Sequence, residues 1–339
     1  MTRDVMPIDL ALQGGGSHGA FTWGVLDRLL QEDWLKIEGI SGTSAGAMNA
    51  AALISGYVSG GPEGARQTLE AFWRSISEAA RLSPMQRSPI DILFGRWTLD
   101  TSPVFIAADM MSRVFSPYDL NPKGVNPLSQ LLAEFIDFGK IADAPIKIFV
   151  TATCVATGRA RVFRNADITP EALLASACLP TMFQAVEIEG QLYWDGGYSG
   201  NPTITPLVRE CVSRDTILIQ INPIERTDRP RSATEIANRL NEVSFNAVLL
   251  KELRMIALLR QSANPGETEG AKWAGMRMHR VSTEMMATLS ASSKLLAEWE
   301  FLCMLRDEGR RAADAFLDVH GADIGQRSTL DLDTFLEGI

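Results

Sequence analysis

The chain has 339 residues, 46% of them hydrophobic, and carries a formal net charge of −9 at pH 7. This length and hydrophobic content allow a large buried core, as one big domain or as a domain with an appendage. The negative charge argues against a nucleic-acid partner and against strong electrostatic binding to an anionic lipid surface. Contact with a membrane surface would have to be local, transient and apolar.

The cysteines and histidines offer no recognisable metal site. The four cysteines are far apart and form no C-x-x-C pair, and the chain has only three histidines. We therefore expect no metal and no other cofactor, and we expect the cysteines to be reduced. No basic segment followed by an apolar one opens the sequence, and no apolar stretch approaches the length of a membrane span. These features favour a cytoplasmic protein.

Short apolar runs predict strands at residues 5–12, 37–40, 146–154 and 216–221. Helical patterns alternate with them, at residues 21–30, 45–57, 64–82 and 170–178. Such alternation predicts an α/β fold in which helices flank a mostly parallel central sheet. Two glycine-containing segments predict a smaller antiparallel addition, at residues 155–163 and 186–194.

A glycine-rich run follows the first predicted strand: Gly14-Gly15-Gly16-Ser17-His18-Gly19. Backbone N–H groups in such a run can hold an anion, as an oxyanion hole does. The candidate donors are Gly14, Gly15, Gly16 and Ser17.

The same run matches the G-x-G-x-x-G pattern of a dinucleotide site. That site needs an acidic residue at the end of the second strand. Here the second predicted strand runs into Ser41-Gly42-Thr43-Ser44, and the nearest acid, Glu38, lies at its beginning. Phosphate or nucleotide binding is therefore the weaker, non-enzymatic alternative. A P-loop is excluded because no Gly-Lys-Ser/Thr closes the run.

The second motif, Gly42-Thr43-Ser44-Ala45-Gly46, has the spacing that sets a serine on a sharp strand-to-helix turn. Glycines at 42 and 46 leave room for a helix to pack closely behind that serine. The small residues that follow predict a buried helix, whose N-terminus would favour negative charge on Ser44 or its adduct. The alternative is a plain tight turn with an inert serine.

A serine nucleophile needs a base, and Asp195 in Trp194-Asp195-Gly196-Gly197 is the best candidate. It ends a predicted strand, and the two glycines allow close backbone approach beside it. Apolar neighbours would raise its proton affinity. Among the histidines, His18 lies in the glycine run, while His279 and His320 lie in no motif. The alternative is that Asp195 only satisfies backbone N–H groups in a turn.

Two regions outside these motifs leave their roles open. Residues 82–130 contain six prolines and collect large apolar residues, including Leu93, Phe94 and Trp97. They could form a lid or acyl-chain surface over the site, or an irregular insertion that packs its aromatics into the core. Helical patterns at residues 232–261 and 292–317 could cover the sheet, gate the site or form an oligomer interface, and their apolar stripes favour a structural role.

Three motifs in order resemble the patatin-like phospholipase family: the glycine run 14–19, the serine motif 42–46, and Asp195-Gly196-Gly197. The stretch Ala175-Ser176-Ala177-Cys178-Leu179-Pro180 is similar to the helix before the family's aspartate strand. The resemblance covers about residues 8–221. It implies a three-layer patatin-like fold for a catalytic domain at 5–223, while the change in composition after Pro223 predicts a mainly helical C-terminal extension at 224–339. Many members carry Arg or Lys where this chain has His18.

The resemblance also implies a Ser–Asp dyad of Ser44 and Asp195, which agrees with the assignment from the residues themselves. The sequence thus predicts a hydrolase of lipid carboxylic esters, with residues 14–17 as the oxyanion hole. The supporting motif glycines are Gly19, Gly42, Gly46, Gly196 and Gly197. An acyltransferase or an intracellular polyester depolymerase would use the same dyad. The expected partner is a lipid or another acyl ester, and the C-terminal helices could mediate oligomers.

Overall fold

The computed structural model of the chain describes residues 4–81, 83–226, 229–262 and 269–336. Residue 82, where the predicted helix 64–82 ends, lies outside them, as do residues 227–228, 263–268 and 337–339 of the C-terminal segment. The strands are β1 Met6–Leu12, β2 Leu35–Gly42, β3 Lys147–Cys154, β4 Ala160–Arg164, β5 Val186–Ile188, β6 Gln191–Asp195, β7 Asp215–Ile219 and β8 Arg277–Val281.

The helices lie between and after these strands. They are α1 Gly19–Leu29, α2 Ala45–Ala80, α3 Pro89–Leu93, α4 Pro103–Ser112, α5 Pro117–Leu120, α6 Leu128–Phe135, α7 Phe138–Ala142, α8 Pro170–Ser176, α9 Thr205–Glu210, α10 Ala233–Gln261, α11 Glu269–Ala274, α12 Met285–Thr288 and α13 Trp299–His320. Short 3₁₀ helices include Gly16–His18, Gly196–Tyr198 and Ala291–Leu295.

The strands of the described residues form one eight-stranded sheet, in the order β5-β6-β3-β2-β1-β7-β8, with β4 paired to β3 outside this order. The pairs β3–β2, β2–β1, β1–β7 and β7–β8 are parallel. The pairs that β4, β5 and β6 make are antiparallel. This confirms the predicted α/β class, with a mostly parallel sheet and a smaller antiparallel addition.

The ends of β2 and β6 meet on one edge of β3. Gly42, the last residue of β2, lies opposite Val150, and Asp195, the last residue of β6, lies opposite Ala152. Strands β2 and β6 both lie on this edge of β3, because β4 occupies the opposite edge of β3 from Phe149 to Thr153. Since β2 and β6 run in opposite directions, the topology brings the residues after Gly42 towards Asp195.

Helix α2 begins directly after β2 with a run of small buried residues, as the sequence predicted. The two helices predicted at 45–57 and 64–82 agree with the structure, because the range of α2 joins two helices across a kink at Gly60 and Gly61, where the backbone is not helical. Gly61 has a φ of 64°, a value that glycine adopts without strain. The bend lets the first half of α2 pack on the sheet while the second half buries Phe72 and Trp73.

The C-terminal segment is part of the main core. Helix α13 crosses α1 so closely that a Cβ on Gly24 would lie 1.9 Å from the carbonyl oxygen of Arg306. It buries Phe301 and Leu305 in the same core as α1. This fits the structural role that the apolar stripes favoured. No helix within the described ranges is long and apolar enough to cross a membrane.

The C-terminal segment also supplies strand β8, which the sequence analysis missed. Its five residues, Arg-Met-His-Arg-Val, show no regular alternation and form too short a run to stand out among helical patterns. Pairing with β7 decides its conformation. The helix predicted at 292–317 is a 3₁₀ helix, Ala291–Leu295, followed by α13.

Candidate active site

Ser44 lies on the turn between β2 and α2, in a strained conformation with φ 53° and ψ −122°. Non-glycine residues rarely adopt such a positive φ, which costs about 1–3 kcal/mol. The turn is held by its neighbours: the N–H of Ser44 donates to Oγ of Ser176 at 2.9 Å, and Oγ1 of Thr43 donates to the carbonyl of Gly200 at 2.7 Å. The serine is thus fixed at the N-terminus of α2 and stays partly exposed.

The glycines around Ser44 are required by close backbone contacts. A Cβ on Gly46 would lie 2.2 Å from the carbonyl oxygen of Leu12, and one on Gly42 would lie 2.6 Å from that of Gly46. A Cβ on Gly19 would meet the Cβ of Ala45 at 2.8 Å. Helix α2 therefore packs directly behind the serine turn. As the motif spacing predicted, glycines at 42 and 46 make room for this close packing.

Asp195 ends β6 with its side chain buried, at 1% exposure. Its Oδ1 accepts a hydrogen bond from the N–H of Gly197 at 2.7 Å. Its Oδ2 is buried without a hydrogen bond of standard geometry from any described residue. The turn role considered for Asp195 therefore accounts for only one of its two oxygens.

The environment of Asp195 suits a base that works near neutral pH. Burial raises the pKa of Asp195 to about 7, against the lowering effects of the Gly197 N–H, the Ser44 side chain and the charge of Lys294. The Ser44 side chain therefore lies close enough to the carboxyl to lower the pKa of Asp195. A Cβ on Gly196 would lie 2.0 Å from the carbonyl oxygen of Thr151, so the chain after Asp195 packs tightly against β3.

The glycine run lies beside Ser44, and its residues divide into two kinds. A Cβ on Gly14 would lie 2.6 Å from the Cβ of Ser44, but the N–H of Gly14 already donates to Oδ1 of Asn201 at 2.6 Å. Gly14 therefore differs from the expectation that it donates to an oxyanion. Gly16 and Ser17 begin a 3₁₀ helix, so their N–H groups have no intrahelical partner. With Gly15, they donate to no partner within the described part of the chain.

Buried amide side chains hold the glycine run in place. Oε1 of Gln13 accepts from the N–H groups of Ile221 and Asn222, at 3.0 and 2.9 Å. Nδ2 of Asn222 donates to the carbonyl of Gly14 at 2.7 Å, while Asn201 accepts from its N–H. Both polar groups of Gly14 are thus fixed by side chains that come from distant parts of the sequence. Such fixing preorganises the neighbouring N–H groups.

Lys294 lies against the glycine run and was missed by the sequence analysis. Its backbone oxygen would be 2.3 Å from a Cβ on Gly16, whose φ is 60°, and its Nζ donates to Oδ1 of Asn222 at 2.8 Å. Burial lowers the pKa of Lys294, while its charge lowers the pKa of Asp195. No motif surrounds this residue, and only the fold brings it to the site.

Within the described ranges, none of the three histidines is hydrogen-bonded to Ser44 or Asp195, as a catalytic triad would need. Nε2 of His18 lies 2.7 Å from Oγ of Ser293, and burial, with the nearby charges of Lys294 and Arg226, holds the pKa of His18 well below its ordinary value. Both ring nitrogens of His279 are engaged, by Asp215 at 3.0 Å and by Thr329 at 3.1 Å. His320 ends α13 and contacts Asp323.

The described ranges contain no group of three or more His, Cys, Asp or Glu side chains placed to hold a metal ion. The cysteines at 154, 178, 211 and 303 are free thiols. The polar groups around the serine turn are the hydroxyl of Ser44, the carboxyl of Asp195, the backbone N–H groups of the glycine run and the ammonium of Lys294. This set is suited to acyl transfer through a serine.

Comparisons with known proteins identify the family of the chain. The family model described as patatin-like phospholipase matches residues 10–208, a range that includes the glycine run, Ser44 and Asp195. No curated protein matches the chain. Among solved structures, it is similar to VipD from Legionella pneumophila, with 15% identity over 94% of this chain and 68% of that one, and a TM-score of 0.42. Since the family model spans more than half of its length, the chain belongs to the patatin-like phospholipase family.

Proposed function

We propose that the chain is a serine acyl hydrolase that cleaves carboxylic esters of lipids through a dyad of Ser44 and Asp195. The observation that carries the proposal is the meeting of two strand ends on one edge of β3. One presents a serine on a strained turn, and the other presents a buried carboxyl whose pKa is raised to about 7. A phosphate-binding loop would need neither feature, so nucleotide binding leaves both of them unexplained.

In the first half of the reaction, Oδ2 of Asp195 accepts the proton of the Ser44 hydroxyl, whose oxygen attacks the ester carbonyl. The carbonyl oxygen becomes an oxyanion, held by the N–H groups of Gly15 and Gly16 with help from Ser17. Loss of one such donor typically costs about 3 kcal/mol. Asp195 then gives its proton to the departing alcohol as the C–O bond breaks, which leaves an acyl-enzyme on Ser44.

In the second half, water takes the place of the alcohol. Asp195 accepts a proton from the water, whose oxygen attacks the acyl-enzyme, and the same N–H groups hold the second oxyanion. Return of the proton to Oγ of Ser44 releases the carboxylic acid and restores the free enzyme. Gly14 lets the glycine run pass close to Ser44, and Asn201 and Asn222 hold Gly14 in place by hydrogen bonds to its backbone.

The test of the proposal is the release of fatty acid from lipid esters by the purified chain, compared with the Ser44→Ala variant. We expect release by the wild-type chain only. Adding a primary alcohol distinguishes transfer from hydrolysis, because an acyltransferase would form the new ester in preference to free acid. Absence of release from every phospholipid, neutral-lipid, short-chain and polyester substrate would contradict the proposal.

Histidine substitutions separate a dyad from a triad. We expect His279→Ala and His320→Ala to keep kcat/KM on a soluble ester within a few-fold of wild type, since the hydrogen-bond partners of both imidazoles are residues other than Ser44 and Asp195. A triad histidine would cost several orders of magnitude. His279 is buried, so its variant should unfold at a lower temperature, and rates must be normalised to folded protein. A near-total loss of activity in either folded variant would contradict the dyad.

Lys294 is proposed as a positioning residue that also tunes the base. Its positive charge lowers the pKa of Asp195, so Lys294→Met should move the acid limb of kcat/KM to higher pH. Lys294→Arg, which keeps the charge, should leave the limb near its wild-type position. If Lys294 were merely structural, both variants would lower kcat/KM equally at every pH, and the limb would not move.

A further inference from the structure

The insertion at residues 82–130 exposes many of its large apolar side chains. Helix α4 has no buried residue. Six of these side chains are at least 60% exposed, and we call them the insertion face: Ile90, Leu93, Phe94, Met110, Val114 and Val125. Trp97 behaves differently, since its ring lies 5.2 Å from that of Phe301 and beneath the guanidinium of Arg87. Exposed apolar residues concentrated in one segment mark a binding surface more often than single scattered ones do.

One end of the insertion is fastened beside the glycine run. The N–H of Leu99 donates to Oγ of Ser292 at 3.0 Å, and Nε of Arg87 donates to Glu298 at 2.8 Å. The residue after Ser292 contacts His18, and the next, Lys294, packs on Gly16. This anchor therefore lies within a few residues of the contacts that hold the proposed oxyanion hole.

The other end is fastened beside Asp195. Nε2 of Gln184 donates to the carbonyl of Asn121 at 2.7 Å, and the N–H of Ala185 donates to the hydroxyl of Tyr118 at 3.3 Å. The Gln184 carbonyl accepts from Sγ of Cys178, whose own carbonyl accepts from the N–H of Asp195. The insertion is thus attached at one end to residues next to those that contact the glycine run and at the other end to residues bonded through Cys178 to Asp195, and α4 with most of the insertion face lies between Arg87 and Asn121 in the sequence.

The charge of the insertion indicates what can cover this face. Residues 83–130 carry equal numbers of basic and acidic side chains, namely Arg87, Arg96, Arg113, Lys123, Asp91, Asp100, Asp109 and Asp119. The net charge of −9 is therefore carried by the rest of the chain. A second copy of the chain, or an anionic surface, would be repelled by that charge on approach. An uncharged or zwitterionic surface would not.

We propose that the insertion face docks on the surface of aggregated zwitterionic lipid and so places the Ser44 turn against its substrate. The inference rests on the proposed function, because it takes lipid esters as the substrate. Apolar side chains that leave water for the lipid interface supply the binding, and no charge attraction is needed.

Binding is tested on the full chain carrying Ser44→Ala, so that the lipid is not consumed. The probe is phosphatidylcholine vesicles, with bound protein measured by flotation. Adding Leu93→Ser and Phe94→Ser should lower the partition coefficient by about tenfold or more, because the binding free energy from burying two large apolar side chains in lipid is lost. The matched control adds Val5→Ser and Val212→Ser. These side chains are 61% and 86% exposed and lie before β1 and β7, at the amino-terminal ends of the parallel strands, whereas Ser44 follows the carboxyl end of β2. The control should bind like the parent.

Equal binding by the two double variants would overturn the proposal, as would binding that requires anionic lipid or is abolished by salt. A dimer that Leu93→Ser with Phe94→Ser converts to monomer would show that the face is covered by a second copy instead. With Ser44 intact, the same double variant should hydrolyse a soluble ester at the wild-type rate and phosphatidylcholine vesicles about tenfold more slowly. If the wild-type chain hydrolysed no ester but bound vesicles as predicted, the proposed function would fail and the docking face would stand.

Discussion

Replacing Ser44 with alanine is expected to lower kcat/KM on any ester substrate by at least about 10⁴-fold, because the acyl-enzyme can no longer form. The loss of one partly exposed hydroxyl should leave the fold intact, as judged by circular dichroism and thermal unfolding. Steady-state kinetics on a soluble chromogenic ester measure the effect without the complication of lipid aggregation.

The matched control for this variant is Ser176→Ala. Its hydroxyl accepts the N–H of Ser44 at 2.9 Å but takes no part in bond making. We expect that variant to lose only about the value of one hydrogen bond, or roughly tenfold in rate. If Ser44→Ala kept more than about 1% of wild-type activity, well above what a lost nucleophile allows, the hydrolysis would belong to another residue.

Asp195→Asn should lower kcat/KM by about 10²–10⁴-fold, the usual contribution of a general base, because an amide cannot accept the serine proton. The substitution keeps the shape of the side chain and an oxygen for the N–H of Gly197. It therefore removes the proton transfer while keeping the turn.

Asp195→Asn should also change the pH dependence of kcat/KM. The pKa of Asp195 is raised to about 7 in the fold, so the base form is present above that pH and is lost as the pH falls through it. Wild-type kcat/KM should accordingly fall about tenfold per pH unit below 7. This acid limb should be absent from the residual activity of Asp195→Asn.

Asp215→Asn is the control for removing a buried carboxylate. Asp215 is 1% exposed and bonded to Arg277 and His279, away from the glycine run. Its substitution should lower the unfolding temperature but keep the acid limb in the folded protein. Should Asp195→Asn retain more than about a tenth of the wild-type rate, with its limb unchanged, another group must be the base.

The features of the fold and of the site that the sequence could predict are local ones. The spacing of glycines around Ser44 predicted the strand–turn–helix, and the close contacts of Gly42 and Gly46 supply the physical reason. The strands predicted at 5–12 and 146–154 lie within one residue of β1 and β3 at each end. Long apolar runs and glycine-punctuated turns carry their structure within a few residues, so a single sequence reveals them.

The features that the sequence could not predict depend on contacts between distant residues. Lys294 reaches the glycine run only because the 3₁₀ helix before α13 folds back onto it, and Asn201 and Asn222 meet Gly14 across more than 180 residues of chain. The exposure of Leu93 and Phe94 was equally hidden, since an apolar residue in an irregular segment can face either the core or solvent. No local pattern encodes any of these choices.

The central claim is that Ser44 is a nucleophile activated by Asp195 without a histidine. Its most direct test is the rate of labelling by a fluorophosphonate, with the modified residue located by peptide mass spectrometry. We predict a single label on Ser44 of the wild-type chain, a labelling rate at least about 100-fold lower in Asp195→Asn, and an almost unchanged rate in the double variant His279→Ala with His320→Ala. A label on another residue would contradict the claim, as would labelling of Ser44 that survives Asp195→Asn but disappears with the histidines.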